Sequence, residues 1–364
     1  MALEFDHRAI AWNSGDAAGT NYVVNSLSFQ PTAQMFTTNE QANATDAVTT
    51  TTNARLCVGL ASSTSNRFCM GFLDVDGAAA ADTQEIYRND AIAASVSTAG
   101  AMDGLLDLSA KASDGYTLTV DDQIPASIMV FVTSWGGDAV EAEVITFIEA
   151  ASAPLAVDYT LAGAFQGNAV IIVGCQLTAA APTAGVQDSG LMVGWATGAS
   201  NQYVRMMNSD EASTNADCDQ YARSDECLAM CTVAGGNPNA RASFTQWNSD
   251  GFRLTWAARG VTNRRYMAMV VRGGQWQAET HTVNGASAGS TSTVSGLSFQ
   301  PVGGLSASHL QTETTAGTST GSLTQSWGCW SSTSWRRWMD YTELDGAGHM
   351  DIQLGIDYDS ILVA

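Results

Sequence analysis

The chain contains an internal repeat, and this feature constrains its fold more than any other. The segment SLSFQP at 26–31 returns as GLSFQP at 296–301, and AGAFQG at 162–167 lies between them. The phenylalanines of the three segments are 136 and then 134 residues apart, at Phe29, Phe165 and Phe299. A fixed period of this length indicates tandem copies of one structural unit.

Three further blocks keep the same register. A second block begins with a glycine that recurs after 135 and then 134 residues, at Gly59, Gly194 and Gly328. The third and fourth blocks each occur twice. The third block is Ser-Asp-Gly before an alternating run, at 113–120 and 249–256. The fourth block is an apolar run that ends in Gly-Gly, at 128–137 and 266–274. Four blocks in one register indicate tandem duplication.

The repeat divides the chain into units at 1–138, 139–275 and 276–364. The starts of the first and third units share a short acidic segment ending in histidine, so that His7 and His281 lie 274 residues apart. The third unit has the first two blocks and lacks the other two, and is therefore about 45 residues short. Three explanations stay open: a longer chain, a smaller variant fold, or strands supplied by a neighbouring subunit.

The repeated blocks have the pattern of β-strands. Tyr116–Val120 and Phe252–Trp256 alternate apolar and polar residues, and the Ser-Asp-Gly before each is a turn signal. We expect an all-β fold of tandem antiparallel β-sandwich (jelly-roll-like) units, with three repeats of about 136 residues and the third incomplete. Helical periodicity is weak, and the one segment that predicts a helix is Asp217–Met230, for which a loop with one turn is the alternative. The alternating apolar positions predict these interior residues: Leu27, Phe29, Val58, Leu60, Tyr116, Leu118, Met129, Phe131, Phe165, Val193, Trp195, Phe252, Leu254, Met267 and Met269.

The charge balance excludes several classes of partner. Lys and Arg number 15 against 36 Asp and Glu, which gives a net charge of −21. Phosphate binding needs a field of Lys and Arg, so we expect no nucleic-acid partner. The sequence has no apolar run of the length that crosses a bilayer, so we expect no membrane insertion. The N-terminus lacks the apolar core of a signal peptide, which predicts synthesis in the host cytoplasm.

Residues with metal or catalytic chemistry are few or unpaired. Seven cysteines at irregular spacing do not form a disulfide framework. The cluster Cys218, Cys227 and Cys231 leaves open a zinc site without a fourth ligand, one disulfide, or buried thiols. The histidines fit no catalytic or metal-binding motif, so we predict no catalytic residue, metal or cofactor. Two aspartate pairs have the alternation of Ca²⁺ ligands and also of solvated turns: Asp74 with Asp76 and Asp357 with Asp359.

A cluster of tryptophan and arginine near the C-terminus is the one candidate contact site. Its members lie within twelve residues: Trp327, Trp330, Trp335, Arg336, Arg337 and Trp338. Exposed aromatic rings beside arginine suit a protein interface or a sugar-binding face. The same residues could instead fill the core, as expected for Trp195 in the same block. The sequence leaves these alternatives open.

The order of the blocks also carries a family resemblance. A unit of the form G-x-x-F-x-P, an apolar strand, G-x-A-[ST]-x-x-[SN], S-x-D-G-F-x-L-x-W and an apolar strand ending in Gly-Gly resembles β-sandwich units in structural proteins of tailed bacteriophages. Here the third block lacks the spacer residue, at Ser113-Asp114-Gly115 and Ser249-Asp250-Gly251. The resemblance covers nearly the whole chain and implies a virion component: a head decoration, a head fibre or a tail appendage. It carries no catalytic residues.

We therefore expect a non-enzymatic virion structural protein with three β units in series. Its partners would be further copies of itself and other virion proteins. The alternative is a carbohydrate- or receptor-binding module that recognises a host surface glycan through the tryptophan cluster. A hydrolase with paired carboxylates ranks last, because no pair of acids recurs at equivalent positions of the repeat.

Overall fold

The computed structural model describes these residues: 3–39, 47–50, 53–178, 182–214, 217–231, 238–260, 263–280, 293–309, 318–320, 323–332, 335–343 and 352–357. They form antiparallel β-sheets throughout, which confirms the predicted all-β class. The helix predicted at Asp217–Met230 is wrong. This segment forms two strands, Cys218–Arg223 and Leu228–Cys231, in different sheets. Most side chains of both strands are buried, so the alternation that marks a half-exposed strand is missing from the sequence.

The first unit is a two-layer sandwich. Its larger sheet has the order β1-β11-β3-β5-β6-β7, and its smaller sheet has the order β2-β10-β9-β8. The chain alternates between the layers at both ends of the unit, as in a jelly roll, and forms meanders between them. The strands are β1 (Glu4–Trp12), β2 (Asn21–Val24), β3 (Pro31–Asn39), β4 (Ala47–Thr50), β5 (Asn53–Ala61), β6 (Arg67–Val75), β7 (Thr83–Arg88), β8 (Ala93–Val96), β9 (Met102–Ala112), β10 (Gly115–Asp122) and β11 (Ile128–Gly136).

The second unit repeats this arrangement strand for strand. Its sheets have the orders β12-β22-β14-β16-β17-β18 and β13-β21-β20-β19, so each strand number of the first unit rises by eleven. The strands are β12 (Glu141–Ile148), β13 (Leu155–Thr160), β14 (Ala169–Cys175), β15 (Thr183–Val186), β16 (Ser189–Gly198), β17 (Asn201–Ser209), β18 (Cys218–Arg223), β19 (Leu228–Cys231), β20 (Pro238–Asn248), β21 (Gly251–Ala258) and β22 (Arg265–Arg272).

The last part of the chain forms one further sheet among the described residues. Its order, β23-β25-β26-β27, matches β3-β5-β6-β7 of the first unit. We call it the third sheet. The strands are β23 (Gly304–His309), β24 (Thr318–Thr320), β25 (Leu323–Ser332), β26 (Trp335–Glu343) and β27 (Ile352–Asp357).

The three large sheets exchange strands in a closed cycle. Strand β15 of the second unit pairs with β7 of the first, and β24 pairs with β18 of the second unit. Strand β4 of the first unit completes the cycle by pairing with β27 of the third sheet. The donated strands β4, β15 and β24 occupy the same position in the repeat. The second unit therefore completes the large sheet of the first unit, the third part completes that of the second unit, and the first unit completes the third sheet.

A shared hydrophobic core lies between the large sheets, so the expectation of units in series is wrong. This central core joins residues of all three parts, such as Phe131, Met269 and Trp327. Each complete unit has a second core between its two layers. Strand β11 is buried along its whole length because both faces of its sheet are covered. The predicted interior residues are buried, except that Trp195 is partly exposed against the central core.

Candidate functional site

The tryptophan and arginine cluster lies on β25 and β26, where successive side chains point to opposite faces. Trp327 belongs to the central core and is 5% exposed. Trp338, opposite Gly328 in the register, is buried on the other face and is 2% exposed. A glycan platform needs exposed rings on one face, which these two residues do not supply. Trp330, Arg336 and Arg337 are partly buried, and the side chain of Trp335 lies outside the described residues.

The structure instead brings polar residues together where the three parts meet. Asp74 is the second-last residue of β6, and Ser209 and Glu343 end β17 and β26, at equivalent positions of the repeat. All three side chains are buried. The sequence contains a signal for this site. A polar residue recurs at this position of the repeat, and the residue two places before it, such as Phe72, is buried and apolar. Sequence reasoning missed it because Asp74 was considered as a Ca²⁺ ligand or a solvated turn residue, and not as a buried group.

Tyr341 lies between the two carboxyl groups of this site. Its hydroxyl oxygen is 2.6 Å from Oδ2 of Asp74 and 2.7 Å from Oε2 of Glu343. Ser189 donates a hydrogen bond of 2.9 Å to Oδ1 of Asp74, and Ser209 donates one of 3.0 Å to Oε1 of Glu343. We call Asp74, Tyr341 and Glu343 the junction triad. The triad links the first unit to the third sheet, and the two serines link it to the second unit.

Burial governs the protonation of the junction triad. Loss of hydration raises the pKa of Asp74 to about 7, although the hydrogen bonds from Tyr341 and Ser189 act in the opposite direction. The acidic side chains of Glu211 and Asp82 raise the pKa of Asp74 further. Burial likewise raises the pKa of Tyr341 well above its ordinary value. The site therefore favours neutral groups.

Glu85 is a second buried acidic group, and it fixes strand β15, which the second unit contributes to the large sheet of the first. Oε1 of Glu85, on β7, accepts hydrogen bonds from the backbone N–H of Gln176 at 3.0 Å and of Gly190 at 2.7 Å. Its Oε2 accepts one of 2.7 Å from the side-chain amide of Gln187. These donors lie on both sides of β15 in the chain, so Glu85 holds both ends of the lent segment. Burial raises the pKa of Glu85 to about 8.

His7 and Cys329 form a contact between the first unit and the third sheet. The sulfur of Cys329 is 2.9 Å from the imidazole, and Nδ1 of His7 is 3.1 Å from the hydroxyl of Thr133. A catalytic cysteine needs a thiolate beside an imidazolium. Burial here disfavours the charged forms of both groups, the imidazolium and the thiolate. It lowers the pKa of His7 to about 3 and raises the pKa of Cys329 to about 12. The pair is a neutral packing contact.

The other residues that the sequence offered as metal ligands are buried, hydrogen-bonded within the fold or outside the described residues. Cys218, Cys227 and Cys231 are buried thiols. Asp76 accepts a hydrogen bond of 3.0 Å from the backbone of Ile352. Asp359 and His281 lie outside the described residues, as does the side chain of Asp357. In the part of the chain that the structure describes, no three His, Cys, Asp or Glu residues are arranged to hold a metal ion.

The central core contains a small cavity. A cavity of about 20 Å³ lies in the central core between residues of all three parts, including Phe131, Trp195 and Trp327. This volume accommodates about one water molecule. Within the described ranges, no helix has the length and apolar character needed to span a membrane.

Comparisons with known proteins assign no family. No protein-family model matches the chain, and a search of curated proteins finds no similar sequence.

Proposed function

We propose that this chain is a non-enzymatic structural protein of a bacteriophage particle, at the head surface or on a tail appendage. The observation that carries the proposal is the closed exchange of strands among the three large sheets. A part of such a body cannot leave without breaking backbone pairing at two joints. This arrangement suits a protein whose role is to hold its shape in an assembly.

Two physical features support this proposal. Each large sheet ends in an exchanged strand of only three or four residues, and such short edge strands pair poorly with unrelated chains in a crowded particle. The net charge of −21 keeps many copies soluble and repels the packaged genome. The resemblance of the repeat blocks to tailed-phage β-sandwich units connects this architecture to a virion. Its partners would then be further copies of itself and neighbouring virion proteins.

The test is to locate the chain in an infected culture. We would fuse a peptide tag into the exposed turn at Asp138 and separate banded particles from the soluble lysate. The proposal requires the tagged chain at a fixed number of copies per particle, and gold-labelled antibody at one place on head or tail. A chain that stays entirely in the soluble lysate would overturn it.

A matched variant distinguishes specific incorporation from passive adsorption. Ser319→Pro removes a backbone N–H in β24, where it pairs with Gln220 of β18, and therefore weakens one joint of the cycle. We expect this variant to be expressed but incorporated at least several-fold less. Equal recovery of both forms on particles would mean that the exchanged-strand architecture is not what the particle recognises.

A further inference from the structure

The junction triad contains too few protons if both carboxyl groups are ionised. The hydroxyl of Tyr341 has one hydrogen, yet it lies 2.6 Å from Asp74 and 2.7 Å from Glu343. It can donate to one carboxylate only. The other short contact needs a donor, and the carboxyl group itself is the group in that contact that can hold the proton. The geometry therefore requires one extra proton at this junction.

Acidic side chains dominate the charge that acts on Asp74. The charged side chains that act on Asp74 are Glu211, which follows β17, and Asp82, which precedes β7, and both are acidic. On the opposite side, Glu343 faces Ser209 of β17, and its backbone carbonyl accepts from the thiol of Cys218 on β18 at 3.8 Å. Removing the proton would leave two carboxylates on either side of the Tyr341 hydroxyl in a buried site, with one serine hydroxyl donating to each.

We propose that the proton shared by Asp74, Tyr341 and Glu343 is a pH switch that holds the third sheet against the first two units. With the proton bound, Asp74 of the first unit and Glu343 of the third sheet are both satisfied by Tyr341. When the proton dissociates to solvent, the carboxylates repel each other and β26 and β27 separate from the junction. The switch goes beyond a structural role, because it makes cohesion of the body respond to its surroundings.

The sign of the effect follows from proton linkage. Burial raises the pKa of Asp74 above its value in the unfolded chain, so the folded state binds the proton more tightly. Stability from this group is complete below pH 4 and decreases as the pH rises from about 4 to about 7. The third sheet is therefore held most firmly in mildly acidic surroundings and least firmly above neutrality.

Hydrogen exchange measured by mass spectrometry tests the switch on the full chain. Exchange of peptides from β26 and β27 would be followed from pH 5 to pH 8 and corrected for intrinsic rates. Loss of one proton predicts an opening constant that rises up to tenfold per pH unit until the triad is ionised. Peptides from β20 and β21 in the second unit serve as the internal reference and should show no such rise.

Substitutions that mimic the protonated carboxyl group make the test decisive. Asp74→Asn supplies a neutral amide that donates to Tyr341, so protection of β26 and β27 should become independent of pH. Asp138→Asn, at an exposed turn, is the matched control and should keep the wild-type profile. If Asp74→Asn fails to fold, Glu343→Gln replaces it with the same expectation. A flat wild-type profile, or an unchanged slope in a folded triad variant, would overturn the proposal.

Discussion

The outer face of the large sheet carries small residues in the two complete units and tryptophans in the third sheet. Ala61 and Ala196 are fully buried beneath the smaller sheets, and the equivalent residue of β25 is Trp330. The neighbouring strand shows the same change, from Cys69 and Val204 to Trp338. Large side chains thus stand where the complete units have a second layer.

The glycine that pairs with Cys69 in the first unit, or with Val204 in the second, shows why the complete units need small residues. A Cβ at Gly59 would overlap the carbonyl oxygen of Ile92, and one at Gly194 would overlap that of Cys227. The backbone leading into the smaller sheet therefore touches the larger sheet directly. The same comparison explains why Phe299 is only partly buried although Phe29 and Phe165 are buried. Equal sequence blocks do not create equal environments when the layer above them differs.

The largest expected effect tests whether Trp338 packs on the third sheet as the smaller sheet packs on the large sheet of a complete unit. Trp338→Ala should lower the free energy of unfolding by about 3–5 kcal/mol, because it empties a fully packed site. Val204→Ala, at the equivalent position in the second unit, should cost about 2 kcal/mol. Urea denaturation measures both. A smaller loss for Trp338→Ala than for Val204→Ala would remove the comparison.

The joint at Glu85 is expected to depend on shape and hydrogen bonding more than on charge. Glu85→Ala leaves two backbone N–H groups and one amide without their acceptor and should cost about 3 kcal/mol. Glu85→Gln keeps an acceptor oxygen in place and should cost about 1 kcal/mol at neutral pH. Thermal unfolding of the two variants checks this order. Equal losses would show that the negative charge is essential.

His7 should make the contact with the third sheet sensitive to acid. Its pKa is lowered to about 3 in the folded chain from 6.5, so the unfolded state binds the extra proton between these values. The contribution of His7 to the free energy of unfolding should fall by about 1.4 kcal/mol for each pH unit below 6.5, which is the difference between the pH slopes of wild type and His7→Asn. Urea denaturation at pH 6.5 and pH 5 measures the slope, and His7→Asn should reduce it. An unchanged slope in His7→Asn would assign acid sensitivity to other groups.

The smallest effect concerns the link between the two layers of a complete unit. The ammonium of Lys111 donates to the carbonyl of Ser62 at 2.7 Å, and the indole of Trp247 donates to that of Thr197 at the equivalent place. Burial lowers the pKa of Lys111 to about 7, so stability from this group rises as the pH rises from 7 to 10.5. Lys111→Met should remove about 1 kcal/mol of this rise between pH 7 and pH 8.

Calorimetry of wild type and Lys111→Met at the two pH values measures that rise. Trp247→Phe is the matched control in the second unit. It loses a hydrogen bond of 3.2 Å without changing a titratable group, so its loss should be the same at both pH values. A pH-dependent loss in Trp247→Phe would show that Lys111 is not the source.

The sequence predicts local strands well and their partners poorly. The alternation at Tyr116 and Leu118 correctly placed the half-buried strand β10, because period-two alternation reports burial directly. It did not separate the central core from the sandwich cores, since both faces of a large sheet are buried. The exchanged strands β4, β15 and β24 were not predicted at all. They are three or four residues long and include Thr183–Val186 and Thr318–Thr320, with no pattern that names a partner sheet.

The pairing of β4 with β27 has a consequence for synthesis. Thr50 pairs with Gln353, which a ribosome adds 303 residues later. At roughly 5–20 residues per second, β4 waits about 15–60 seconds for its partner. The cycle of exchanged strands closes only when β27 has been translated. A product truncated before β27 leaves β4 without that pairing, so the closed fold distinguishes chains that reach β27 from shorter ones before any assembly step.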